Sequence, residues 1–289
     1  MMWSLTRRHL ACFFRDRWAV AFSVLGALIL FVLYVLFLGK MQIDSLAESV
    51  PLEARDDVST FVLNWVFSGI LVTSAITVPQ AGLGVLVEDR TQGRVKDFLV
   101  APVPRSTLTI SYILSSVIIT MTILMVEVVV GSVALSLMGH ASLTTGRLVE
   151  LLGILLLLTA TFSGIAAYLV TLVRSQAAMS GLATLVGTLA GFLAGAYIPP
   201  LALPETVVNV MNMLPFAPAA MLVRGPVAEP ALEGVGFPPE MMEELQFGYG
   251  TRIDIFGTEL STLSVLLIIA AWGIIFGGIA ISRMRSVIR

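Results

Sequence analysis

The sequence predicts an all-α membrane protein. It has six transmembrane helices, an amphipathic helix ahead of them, a short helix on one connection and a broken helical hairpin late in the chain. Three observations predict this. Hydrophobic residues make up 57% of the 289 and charged residues 12%, against about 45–50% and about 25% in soluble globular domains. Six apolar stretches reach the length of roughly 20 residues that carries a helix across a bilayer. The 17 lysines and arginines fall unevenly on the segments between them. The same composition excludes a soluble enzyme and a nucleic-acid-binding domain, since a net charge of −2 leaves no basic patch. The single cysteine, Cys12, excludes an internal disulfide framework and a multi-cysteine metal site. Two histidines, His9 and His140, leave little for metal or triad chemistry.

Residues 1–17 come first. Trp3, Leu10, Phe14 and Trp18 recur at helical spacing between Arg7, Arg8, Arg15 and Arg17. That pattern predicts an amphipathic helix at the membrane surface, with a plain extension of the first span as the alternative. Residues 18–289 form the transmembrane domain. Its spans are predicted at about 18–38, 61–87, 108–137, 148–173, 177–198 and 262–281. The first span starts too late and runs too long to be a cleaved signal peptide. With the N-terminus inside, 12 of the 17 basic residues lie on inner segments and 5 on outer ones. The positive-inside rule therefore places both termini in the cytoplasm of a cell-membrane protein.

The connection between the second and third spans runs from Glu88 to Arg105. Glu88 and Asp89 are expected at the start of a short helix over about 88–100, where the helix dipole favours acidic residues. Val95, Phe98 and Leu99 share one apolar face at i, i+3, i+4, and Pro102 and Pro104 end the helix. Such a face needs either a protein partner or lipid headgroups to cover it. The segment 199–261 is rich in proline. Glu205–Leu214, held between Pro204 and Pro215, is too short to span and is expected as part of a broken, partly inserted hairpin.

These two segments resemble a known family. An acidic residue, then Arg, Gly, a Phe-Leu pair and a Pro-x-Pro-Arg ending is similar to the coupling-helix region of ABC-2-type transporter permeases. Gly195-Ala196-Tyr197-Ile198-Pro199, Leu203-Pro204, Leu214-Pro215-Phe216 and Arg224-Gly225 are similar to that family's fifth span and exit-side hairpin. The resemblance covers essentially the whole chain. It departs from the family's pattern at Ala196 and Tyr197, where a small polar residue is common. The resemblance implies an exporter built from two six-span permeases, the second a copy or a homologue, and two separate P-loop ATPase subunits. Glu88, Arg90, Gly93, Arg94, Phe98 and Leu99 would dock on the ATPase, and the N-terminal helix would touch it too. Tyr197, Pro199, Pro204 and Pro215 would shape the exit. ATP and magnesium would be bound by the partner, with no cofactor in this chain. Consistent with that, neither lysine, Lys40 or Lys96, lies in a phosphate-cradling Gly-x-x-x-x-Gly-Lys-[Ser/Thr] loop.

Within the spans, Glu127 is the sole deep carboxylate. It either lines a path for a cationic or hydroxylated substrate or makes a structural hydrogen bond to a neighbouring span. Asn64, Thr73, Ser74 and Thr77 form a polar stripe on the second span that lines the same path or bonds between helices. Pro79 kinks that span. Gly187, Gly191 and Gly195 repeat every four residues and are expected to pack closely against another helix, within the chain or across a dimer. The substrate expected is an amphipathic or hydrophobic small molecule, with a lipid or lipid-linked polymer as the alternative. A proton-coupled secondary transporter working through Glu127 is the reading from another class. It lacks inverted halves and a relay of carboxylates.

Overall fold

The protein is described by a computed structural model over residues 2–47, 55–95 and 104–287. Helix α1 spans Met2–Arg15 and α2 spans Arg17–Leu33. Asp16 separates them and caps α2, its Oδ1 accepting from the backbone N–H of Trp18 at 3.0 Å and of Ala19 at 3.1 Å. One π-helical turn, Tyr34–Leu38, joins α2 to α3, Gly39–Ala47. The long spans follow as α4 (Arg55–Thr91), α5 (Arg105–Leu137), α6 (Thr145–Leu172) and α7 (Gln176–Leu193). A 3-10 turn at Pro200–Ala202 leads to α8 (Glu205–Met213) and α9 (Phe216–Val227), which meet at a bend of 87°. Two short helices, α10 (Glu229–Gly234) and α11 (Pro239–Gly248), precede a two-stranded ribbon of β1 (Asp254–Ile255) and β2 (Thr258–Glu259). Helix α12, Thr262–Val287, closes the chain.

Six of these helices are long and apolar enough to cross a membrane. They are α2, α4, α5, α6, α7 and α12, the six predicted spans. Helix α4 is the centre. It is about 55 Å long at 1.5 Å per residue, and α2, α5, α6, α7 and α9 all pack on it. Its residues Phe61–Leu71 are buried on every side, which is why apolar side chains there show no helical period and only Asn64 and Ser68 interrupt them. Pro79 removes one rung from the helix ladder. Here the neighbouring backbone is tied across helices: Ser116 Oγ of α5 donates to the Pro79 carbonyl at 3.0 Å and sits 3.1 Å from Ser163 Oγ of α6. Helix α12 packs chiefly on α6, where Thr161 Oγ1 donates to the Ile269 carbonyl at 3.1 Å.

Two sequence expectations are corrected. Glu88 and Asp89 do not begin a new helix; they are the last turns of α4, which runs unbroken to Thr91. The stop signal is Gly93, whose φ of +74° is the left-handed geometry that ends helices cheaply only at glycine. Helical geometry resumes at Arg94, and the predicted Phe98 and Leu99 lie outside the described residues. The buried face of α1 is Thr6, His9 and Phe13, with Trp3, Phe14 and Trp18 exposed. Trp3, Phe14 and Trp18 of the predicted stripe thus lie on the outer face, where an interfacial helix would turn them to lipid, and the packed face carries Thr6 and His9. Finally, α7 stops at Leu193. Gly195 (φ +60°) and Gly191 complete a Schellman cap: Ala196 N donates to Gly191 O at 2.8 Å and Gly195 N to Phe192 O at 2.9 Å. The chain then folds back so that Tyr197 covers Gly191, where a Cβ would lie 2.0 Å from the ring. That glycine makes room for a side chain of its own turn, not for another helix among the described residues.

Candidate functional site

The site is built along α4, from one end to the other. At the α1 end, Asp89 is fully buried. It accepts from both terminal nitrogens of Arg8 at 2.8 Å and from the Tyr112 hydroxyl at 2.6 Å. Arg94 adds a second cation, 3.4 Å from Asp89 and 3.5 Å from Glu88. A forked guanidinium matches a carboxylate in two parallel bonds, so Arg8 fixes the angle of α1 as well as its position. Its hydrogen bonds to Asp89 raise the Arg8 pKa above the ordinary range. Behind it the His9 ring stacks on Tyr112 with centroids 3.9 Å apart and planes 10° from parallel. Burial, helped by the Arg8 charge, pushes the imidazole down to about 4, so the stacked ring is neutral at pH 7.

The predicted docking residues divide here. Glu88 and Arg94 are half-exposed. Gly93 is a helix stop. Arg90 points into the bundle, donating to the Val170 carbonyl of α6 at 3.2 Å and contacting Met284 Sδ of α12 at 3.0 Å. Arg8, Asp89 and Tyr112 are the residues that sequence reading missed. Arg8 and Asp89 stand 81 residues apart in the chain, and no local pattern pairs them.

Halfway along, a groove of about 510 Å³ opens between α2, α4 and α7. Its walls include Ser23 and Gly26 of α2, Thr73, Ser74 and Thr77 of α4, Gly187 of α7, and Tyr197 beyond it. Among the described residues, no Asp, Glu, Lys or Arg lines it. Of the predicted stripe, Thr73, Ser74 and Thr77 thus line the groove. Asn64 does not. Its Nδ2 donates to the carbonyls of Thr60 at 2.8 Å and His140 at 3.0 Å, and its Oδ1 accepts from Ser142 at 2.6 Å, so it fastens α4 to the α5–α6 loop. Glu127 stands behind the groove wall at 4% exposure. Its Oε1 accepts from Ser74 Oγ at 3.0 Å and its Oε2 has no partner.

At the far end of α4, the open carbonyls of the α7 terminus are capped by side chains. Arg224 of α9 is 1% exposed and donates through Nη2 to Gly195 O at 2.7 Å and Ala194 O at 3.2 Å. Tyr34 donates to Ala196 O at 2.9 Å. A helix end leaves such carbonyls unsatisfied, and cations suit it best. Arg224 also lies over the Trp65 ring at 5.1 Å, and Trp65 Nε1 donates to the Tyr249 carbonyl at 2.8 Å. The hairpin prolines have a uniform role: Pro199, Pro204 and Pro215 each occupy the cap just before a helical segment. They set where the chain turns, since proline cannot continue the preceding ladder.

A family model described as ABC-2 type transporter matches residues 2–226. No match to the chain was found among curated proteins. The matched stretch contains α1, five of the six spans, the groove, the Asp89 junction and the hairpin as far as Arg224. The chain therefore belongs to the ABC-2 type transporter family, as a multi-pass membrane permease subunit of an ABC transporter.

Proposed function

We propose that this permease exports amphipathic or hydrophobic small molecules, of the drug and antibiotic class, from the cytoplasm or the inner leaflet. The observation that carries this reading is the groove between α2, α4 and α7. Its volume of about 510 Å³ suits a small molecule, since such sites run to about 300–1,000 Å³ with mostly apolar walls and few polar groups. A lipid-linked polymer would need a wider, more polar channel.

In this reading two copies of the chain face one another, and two ATPases with bound ATP and magnesium dock at the α1 end, taken as cytoplasmic. Glu88, Arg94, the outer face of α1 and the segment carrying Phe98 and Leu99 form the docking surface. Asp89 ties α1 to α4 and α5, so a push at that junction reaches α4 through bonds that hold direction. Helix α4 is also a wall of the groove and, at its other end, a wall of the Arg224 hub. Closure of the ATPases then rocks the halves and opens the groove beside the hairpin. The test is reconstitution in inside-out proteoliposomes with an ATP-binding subunit encoded beside this chain. ATP-dependent uptake of a fluorescent amphiphile, stopped by a non-hydrolysable ATP analogue, is the expected result. Uptake driven by a proton gradient through the permease alone would overturn it in favour of a Glu127-coupled transporter.

A further inference from the structure

The groove carries four side-chain hydroxyls on α2 and α4, and each directs its proton away from the open space. Ser23 Oγ donates to Ala19 O at 2.8 Å, Thr73 Oγ1 to Gly69 O at 2.9 Å and Thr77 Oγ1 to Thr73 O at 2.9 Å. Ser74 Oγ donates to Glu127 Oε1 at 3.0 Å. A hydroxyl has one proton and two acceptor lone pairs. With the proton engaged, what these groups can still offer a ligand is the capacity to accept. The backbone N–H groups of the surrounding helices are engaged in their own ladders. The other polar lining residue, Tyr197, stands at the hairpin end. The wall is thus a row of acceptors on an apolar surface. Behind it the buried Glu127 polarises Ser74, and hydrogen bonds in series strengthen one another in a low-dielectric interior.

We infer that the groove selects molecules carrying hydrogen-bond donors on an apolar frame, protonated amines above all, and that Ser74, positioned by Glu127, sets this preference. This rests on the groove being the transport path. A trimethylated ammonium keeps the charge of an amine but has no N–H, so it separates donor recognition from plain attraction of a cation. A carboxylate, acceptor-only, is the opposite case.

The test uses the full chain in lipid nanodiscs, with empty nanodiscs as the partition control. Equilibrium dialysis measures binding of 1-naphthylmethylammonium, its N,N,N-trimethyl derivative and 1-naphthylacetate. The primary ammonium is expected to bind at least about fivefold tighter than the trimethyl compound, as one net hydrogen bond gives, and the carboxylate weakest. Ser74→Ala and, separately, the near-isosteric Thr77→Val should each bring the two cations closer together while leaving the trimethyl compound's affinity unchanged. Glu127→Gln should narrow the gap with the Ser74 bond retained. Equal binding of the two cations to the unaltered chain, or a gap untouched in all three variants, overturns the inference. Gly26→Phe separates that failure from failure of the groove itself. A side chain there meets open space and would fill the groove. If it abolishes binding of all probes, the groove stands as the site whatever the donor preference. If binding is unaffected, or no probe binds the unaltered chain, the transport-path reading fails and takes the inference with it.

Discussion

Asp89 is a buried carboxylate answered by two arginines and a tyrosine, and that is what makes its burial tolerable. Removing one partner of a buried pair leaves the other uncompensated. Asp89→Ala is therefore expected to weaken the docking of α1 by roughly 2 kcal/mol, since Arg8 is partly solvated and keeps some of its hydration. A spin label at Trp3, with Cys12 replaced by serine, should become mobile in that variant and stay immobile in a Glu88→Ala control. His9 adds a pH dependence whose sign is fixed by its lowered pKa. Above about pH 6.5 the ring is neutral in docked and free helix alike, and docking is unaffected. As pH falls from 6.5 toward about 4, the free helix gains a proton that the stacked ring refuses, so docking weakens by up to about 1.4 kcal/mol per unit. Arg8, Asp89 and Tyr112 face the ring, and none of them has an ordinary pKa in that window. The same label should report rising mobility from pH 7 to 5, and His9→Phe should flatten the curve.

At the scale of elements, the end of α7 is the most constrained. The three carbonyls that follow its last residue, those of Ala194, Gly195 and Ala196, are held by Arg224 and Tyr34, and its last turn accommodates the Tyr197 ring. Gly191→Ala forces that ring out and is expected to destabilise by about 1–3 kcal/mol, the range for overpacking. Gly187→Ala, where a Cβ meets nothing within 4 Å and helix propensity favours alanine, should not lower the melting midpoint of the detergent-solubilised protein. Arg224→Met strips the donors from the carbonyls of Ala194, Gly195 and Gly250 and should cost about 3 kcal/mol, because buried acceptors then lack partners. The three glycines of α7 look alike in sequence, a repeat every four residues. The structure divides them among a groove wall, a ring seat and a helix cap. A four-residue repeat marks one helical face, but it does not say what meets that face.

For the molecule as a whole, α4 links the Asp89 junction, the groove and the Arg224 hub in a single helix. Around it the faces of α2 and α7 carry exposed Phe22, Ile29, Leu185 and Leu189 beside the groove. In the dimer proposed above these surfaces face the second copy. A cysteine at Leu189, in the Cys12→Ser background, is expected to cross-link to its counterpart in membranes, while one at Ile274 on α12 should not. Cross-linking at Ile274 alone would place the interface on the opposite side of the bundle.

The sequence by itself determined the number and order of the spans, the hairpin and the family resemblance. Hydrophobic length, proline placement and charge asymmetry are local quantities, and the bilayer reads them segment by segment. It also flagged Thr73, Thr77 and Glu127, because polar groups in an apolar span stand out wherever they point. The direction of each was decided only by tertiary structure. Asn64 belongs to the same stripe as Thr73, yet the α5–α6 loop claims it, and Arg90 sits beside Asp89, yet turns to α6 and α12. Whether a helical side chain meets a groove, a neighbour or a partner depends on how its helix is rotated within the bundle. That rotation comes from contacts such as Arg8 with Asp89, made between residues far apart in the chain.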